Sequence, residues 1–240
     1  MSLDGTLIIA SCNNDVSWAS RFEGRVVVVE QCEWPRGNVN AEVIRTRRCG
    51  REAGSYLSFI LQAWEALPPK MFFFQGDAPK HFGGPPHFRV HPSASFSMME
   101  GTGELGASSC QLGWSGSISL HQHIANLSVP VTTYTYAHFF VRSTTVMTRS
   151  RAFYQGLLTH LYYGKRDSQT CSRREASTFE RVWPLIFGCS SIINSYRIWN
   201  PTMQDYLKAC PGKFCCSGIE SLVSGEISPI ACENWNQVHG

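Results

Sequence analysis

The sequence predicts an α/β protein, a mostly parallel sheet flanked by helices and continued by a Cys-rich C-terminal appendage. Three observations carry this. Residues 26–29 (Val-Val-Val-Val) and 71–74 (Met-Phe-Phe-Phe) are apolar at every position, as strands covered on both faces are. Between them Ala53, Tyr56, Leu57, Ile60, Leu61 and Trp64 recur at i, i+3, i+4, i+7 spacing, the apolar stripe of an amphipathic helix. The second run ends abruptly on Gln75-Gly76-Asp77. A helix joining two buried strands is a βαβ crossover, so the Asp77 carboxylate is expected at the C-terminal edge of a central strand, where open α/β sheets bind ligands.

The remaining elements follow in order. Leu7-Ile8-Ile9-Ala10 is a first apolar strand, and the polar turn Ser11-Cys12-Asn13-Asn14-Asp15 leads into a helix at Val16-Ser17-Trp18 that Asn14 or Asp15 caps. Trp34-Pro35-Arg36-Gly37 reads as a loop. From residue 78 to about 117 periodicity fails: Pro79, Gly83, Gly84, Pro85, Pro86 and Pro92 alternate with His81, His87, His91 and aromatics, which predicts a long loop or lid. Residues 134–141 read as a strand. Residues 152–163 read as a helix with Phe153, Leu157, Leu158 and Leu161 inward, and 179–187 as a further helix.

At 240 residues the chain is long enough for one full core, read as a domain over 1–188 with an extension over 189–240 packed on it. A formal charge of +3 and dispersed arginines exclude a duplex-binding stripe, so no nucleic-acid partner is expected. Ten cysteines are many for a reducing compartment, and none has the doubled spacing of a zinc ribbon. Cys189, Cys210, Cys215, Cys216 and Cys232, with Cys171 as a further partner, are expected to staple a tail poor in apolar anchors. The sequon Asn126-Leu127-Ser128 fits the same compartment, a secretory-pathway lumen (Golgi or ER) or the exterior, with the cytoplasm as the alternative. No run spans a bilayer, so any native membrane anchor lies outside this chain.

Taken together, Ala10 to Trp18, Gly50-Arg51-Glu52-Ala53 through Tyr56-Leu57, Phe74-Gln75-Gly76-Asp77 with His81, Phe139-Phe140-Val141 before Arg151-Ala152-Phe153-Tyr154, and Phe179 to Gly188 resemble a largely fungal family of unknown function. That family in turn looks like a remote branch of the GT-A glycosyltransferases, with their Rossmann-like sheet. Where the family usually has Asn-Val-Gly-Arg-Glu this chain has Arg48-Cys49-Gly50-Arg51-Glu52, and where glycosyltransferases usually have Asp-x-Asp it has Gln75-Gly76-Asp77. The resemblance implies transfer of a sugar from a nucleotide-sugar donor to a hydroxyl of a glycan, glycoprotein or glycolipid.

On this reading Asn13, Asp15, Arg51 and Gln75 face the donor. Asp77 and His81 hold a Mn²⁺ or Mg²⁺ ion on its diphosphate, a hard cation that takes oxygen ligands from carboxylate, phosphates and water. Glu180, set among Phe179, Val182, Trp183 and Phe187, would take the acceptor proton, because an apolar setting raises a carboxyl pKa towards that of a useful base. Each residue has an ordinary alternative. Asp77 can bond its own turn, Asp15 can cap its helix, Arg51 can pair with a nearby carboxylate, and Glu180 can pair with Arg181 or Arg173. A non-catalytic carbohydrate-binding module on the same scaffold, or a metal-dependent hydrolase using Asp77 and the loop histidines, are the competing functions. No P-loop, GxGxxG, GxSxG or HExxH occurs.

Overall fold

The computed structural model describes residues 5–33, 37–82 and 137–163, with shorter pieces at 84, 86, 88, 90, 94–98, 110–112, 132–134, 176, 179–180, 183, 186–187 and 215–217. Its centre is a mixed sheet. Strands β1 (Thr6–Ser11), β2 (Arg25–Glu30), β3 (Glu42–Arg45), β4 (Lys70–Gln75), β5 (Ala94–Met98), β8 (Phe139–Arg142) and β9 (Cys215–Ser217) lie in the order β3-β2-β1-β4-β8-β5-β9. β1 pairs in parallel with β2 and β4, and β2 with β3, whereas β8 runs antiparallel to both β4 and β5. A separate pair, β6 (Cys110–Leu112) and β7 (Thr132–Tyr134), is antiparallel.

The two expected apolar runs are buried strands because their alternate residues feed two cores. Ile8, Ala10, Val27, Val29, Met71, Phe73, Phe139 and Val141 face helix α1 (Arg51–Gln62), while Leu7, Ile9, Val26, Val28, Phe72, Phe74 and Phe140 face Trp18, Phe22, Phe82 and Phe88. Tyr56 is central to the first core. Its ring meets those of Phe73, Phe139 and Trp183 edge-on or tilted at 5.0, 5.6 and 5.8 Å, and its hydroxyl donates to the Ala137 carbonyl at 2.8 Å. On the far side of α1 packs the helix Arg151–Tyr163.

Two sequence expectations change. The stretch read as a long loop or lid contains a short helix, α2 (Ala78–Phe82), and the strands β5 and β6. β5 escapes a search for apolar runs because Ala-Ser-Phe-Ser-Met alternates, yet Phe96 within it is completely buried. The strand expected over 134–141 divides between β7, which ends at Tyr134, and β8, which starts at Phe139. β3 had no apolar signature: it is an exposed edge strand, and edges tolerate charge. Cys171, Cys189, Cys210, Cys232 and Asn126 lie outside the described residues, as do the side chains of Cys215 and Cys216. The expected tail disulfides and glycan site lie there too.

Candidate functional site

The chain passes from β1 outward through β2 to β3, then returns to place β4 on the other side of β1. That reversal leaves a crevice between the ends of β1 and β4, the topological switch point of an open α/β sheet. A crevice of about 880 Å³ opens there, walled by the β1 end, by residues 48–55 and by Gln75-Gly76-Asp77 with His81.

The β1 and β2 ends are locked together. Asn13 sits at φ 58°, a left-handed conformation that Asn tolerates better than most residues. Its N–H and that of Cys32 donate to Glu30 Oε1 at 3.1 and 2.8 Å, Glu33 N–H donates to Asn13 Oδ1 at 3.0 Å, and Cys12 and Cys32 form a disulfide. Glu30 is fully buried, and its Oε2 has no hydrogen-bond partner among the described residues.

β4 supplies the second wall. Gly76 N–H donates to Ala10 O at 2.8 Å and its carbonyl accepts from Trp18 Nε1 at 2.9 Å. A Cβ at Gly76 would stand 2.5 Å from that of Asn14, so the approach of the two strand ends requires glycine. Asp77 follows, its carboxylate 3.7 Å from His81 Nε2 and 3.9 Å from Lys80 Nζ. The neighbouring His81 is the main reason its pKa lies below the ordinary carboxylate value, partial burial opposing it. Behind them is His138, fully buried and stacked on Phe74 at 5.3 Å. Burial first, then the neighbouring His81, depresses its pKa to about 3, and it is neutral.

The third wall is the start of α1. Gly50 at φ 73° and Arg51 at φ 50° turn the chain into the helix, and Gln31 Nε2 clamps the turn by donating to Cys49 O at 3.0 Å and Arg51 O at 2.6 Å. A left-handed arginine is strained by about 1 kcal/mol or more, and such strain gathers at functional sites. Helix α1 has no side-chain cap bond, and its first residues, Arg51 and Glu52, line the crevice, which sets its positive dipole end at this wall. Arg51 Nη1 lies 3.7 Å from Glu180 Oε1, carried on the helical turns of Phe179, Glu180, Trp183 and Ile186. Glu52, also on the crevice wall, is only 6% exposed, and its pKa is raised to about 8, by burial first and then by the Glu180 charge.

Of the residues expected from the sequence, Arg51, Gln75, Asp77, His81 and Glu180 line this one crevice. Asn13 and Asp15 do not. Asn13 braces the β1–β2 connection, and Asp15 is exposed, its Oδ1 accepting from Ser17 N–H at 2.9 Å in a local turn that keeps its pKa low; the short helix Ser17–Arg21 that follows has Val16 as its N-cap and no side-chain cap, so neither Asn14 nor Asp15 caps it as expected. Glu180 pairs with Arg51, while Arg181 and Arg173, the partners the sequence suggested, lie outside the described residues. Glu52, Glu30 and Gln31 were not singled out. Glu52 could have been found, since it precedes Tyr56 by four residues on the buried face of α1.

Among the described residues no three His, Cys, Asp or Glu side chains gather closely enough to hold a metal by themselves, and no helix is long and apolar enough to cross a membrane. No family model, curated protein or solved structure matches the chain.

Proposed function

We propose that the chain is a GT-A-like, nucleotide-sugar-dependent glycosyltransferase whose acceptor is a hydroxyl of a glycan, glycoprotein or glycolipid. The observation that carries this reading is the make-up of the switch-point crevice: a helix N-terminus and Arg51 on one wall, a carboxylate held ionised on the other. The first pair suits a diphosphate, which gains from both the dipole end and bidentate guanidinium bonds.

Asp77 would hold Mn²⁺ or Mg²⁺, with His81 beside it. One carboxylate suffices for such an ion when the donor phosphates and water supply the other oxygens, so the residues present fit it as part of a shared site. Bound there, the cation would neutralise charge on the departing diphosphate. Arg51 would carry further phosphate charge and Gln75 would offer an amide to the sugar or ribose. Glu180 would accept the acceptor hydroxyl proton as that oxygen bonds the anomeric carbon and the nucleoside diphosphate leaves. The Cys12–Cys32 disulfide supports an oxidising compartment, for which we propose the secretory-pathway lumen or the exterior.

Thermal-shift measurements with a panel of nucleotide sugars, with and without Mn²⁺, test the reading. Stabilisation that requires both components supports the transferase. Stabilisation by free glycans alone, indifferent to nucleotide and cation, would replace it with a carbohydrate-binding module.

A further inference from the structure

The Cys12–Cys32 bridge takes no part in the chemistry proposed above, yet it joins two walls of the crevice. Two residues beyond Cys12, Asn14 packs against Gly76, the residue before Asp77; its Oδ1 accepts from Cys12 N–H at 2.9 Å and its N–H donates to Ser11 Oγ at 3.3 Å. On the other side Gln31 precedes Cys32, and its amide holds the carbonyls of Cys49 and Arg51. Cys12, Asn14 and Gln31 all line the crevice. The bridge therefore ties the wall of Asp77 to the wall of Arg51. Cys12 is exposed and Cys32 partly so, which leaves the bridge open to attack from solvent. Glu30 holds both ends of the bridge and is poorly satisfied there. Its Oε1 accepts from the N–H groups of Asn13 and Cys32, while Oε2 is buried with no hydrogen-bond partner among the described residues. A buried acceptor without a partner costs free energy that water would return, and the left-handed Asn13 adds to that cost. Opening would relieve both, and the covalent bond opposes it.

We propose that Cys12–Cys32 is a thiol–disulfide exchange site that regulates the crevice, its reductant a dithiol. One thiolate of the dithiol attacks Cys12 Sγ; the S–S bond breaks, and Cys32 leaves as a thiolate that takes up a proton. The second thiol of the reductant then attacks its own sulfur in the mixed disulfide, releasing Cys12 as a thiol and the reductant as its disulfide. Two electrons and two protons have passed to the chain. With the bridge open, water reaches Glu30 and the two turns separate. The walls carrying Asp77 and Arg51 then lose their common brace. What the crevice binds rests on the transferase reading; the exchange site does not.

Dithiothreitol treatment of the full chain, followed by alkylation and peptide mapping, tests the exchange. Cys12 and Cys32 should be labelled while the chain still melts cooperatively. In the double variant Cys12→Ser, Cys32→Ser, hydrogen exchange at the amides of residues 13 and 32 should rise about tenfold or more, with the β4 amides unchanged. Inorganic pyrophosphate with Mn²⁺ should bind about fivefold or more weakly to the same variant. Absence of label on Cys12 and Cys32, or unchanged exchange at residues 13 and 32, would overturn the site. Should the variant fail to fold, the reduced and alkylated chain takes its place, and unfolding of that chain too would make the bridge a structural staple and overturn the proposal. A disulfide-bonded chain that binds no pyrophosphate, with the exchange rise present, would sink the anion wall of the transferase and leave the exchange site standing. Equal pyrophosphate affinity with and without the bridge would do the reverse.

Discussion

Across the crevice, two carboxyl groups meet opposite surroundings. On the β4 wall Asp77 is partly exposed, with His81 and Lys80 within 4 Å, and these neighbours hold its pKa below its ordinary range. On the α1 wall Glu52 is buried, and burial first, then the Glu180 charge, pushes its pKa to about 8. Both are acidic side chains on the rim of one pocket, and at pH 7 one is charged and the other neutral. Environments that push paired pKa values apart assign acid and base roles within a single site. Here the charged wall suits a cation and the neutral wall leaves the helix end free to hold an anion.

Removing the charge from the β4 wall should have the largest effect. Asp77→Asn is expected to abolish Mn²⁺-dependent donor binding with little change in melting temperature, because a group at the sheet edge adds little to either core. Calorimetric titration beside a melting curve checks it, and collapse of the fold would give Asp77 a structural role instead. Next comes Glu180→Gln, for which turnover should drop on the order of 10²-fold with donor affinity kept. Unaltered turnover would remove Glu180 from the chemistry.

The neutral wall can be read through stability. Glu52 binds its proton more tightly folded than unfolded, from an ordinary value of 4.5 to about 8. Stability from this group is therefore full below pH 4.5 and is lost as the pH rises towards 8. Glu52→Gln carries no such titration. The variant should gain on the wild type between pH 5 and 8 by roughly 4 kcal/mol, with the gap level above that range. Urea unfolding at several pH values measures the gap, and a flat gap would show Glu52 ionised in both states.

The smallest effect is expected at the turn between the walls. Arg51→Gly relieves a left-handed arginine, and stability should rise by about 0.5–1 kcal/mol less whatever its ion pair with Glu180 contributes. Binding of inorganic pyrophosphate should weaken in the same variant. A more stable protein with unchanged pyrophosphate affinity would detach Arg51 from anion binding.

How much of this was legible depended on the range of the interaction. Val26 to Val29 and Met71 to Phe74 announced buried strands because each position faces one of two cores, and α1 announced itself through Tyr56, Leu57 and Ile60. Local chemistry made Asp15 readable as a residue that bonds a backbone N–H nearby, but not that this would be a turn to Ser17 rather than the helix cap, which falls to Val16. β5 was not readable, since its alternating small polar residues look like loop until Phe96 is seen enclosed. The Cys12–Cys32 bridge was equally hidden among ten cysteines, because spacing does not say which strand ends will be neighbours.

By itself the sequence determined β1, β2, α1 and β4 and where Asp77 falls, because apolar periodicity and a strand that stops at Gly76 are properties of neighbouring residues. Only the tertiary structure decided that antiparallel β8 separates β4 from β5, that Gln31 reaches the α1 turn, and that Glu180 meets Arg51. The protonation state of Glu52 belongs to this second class: a carboxyl pKa is set by how much water and which charges surround it, and those are supplied by residues far away in the chain.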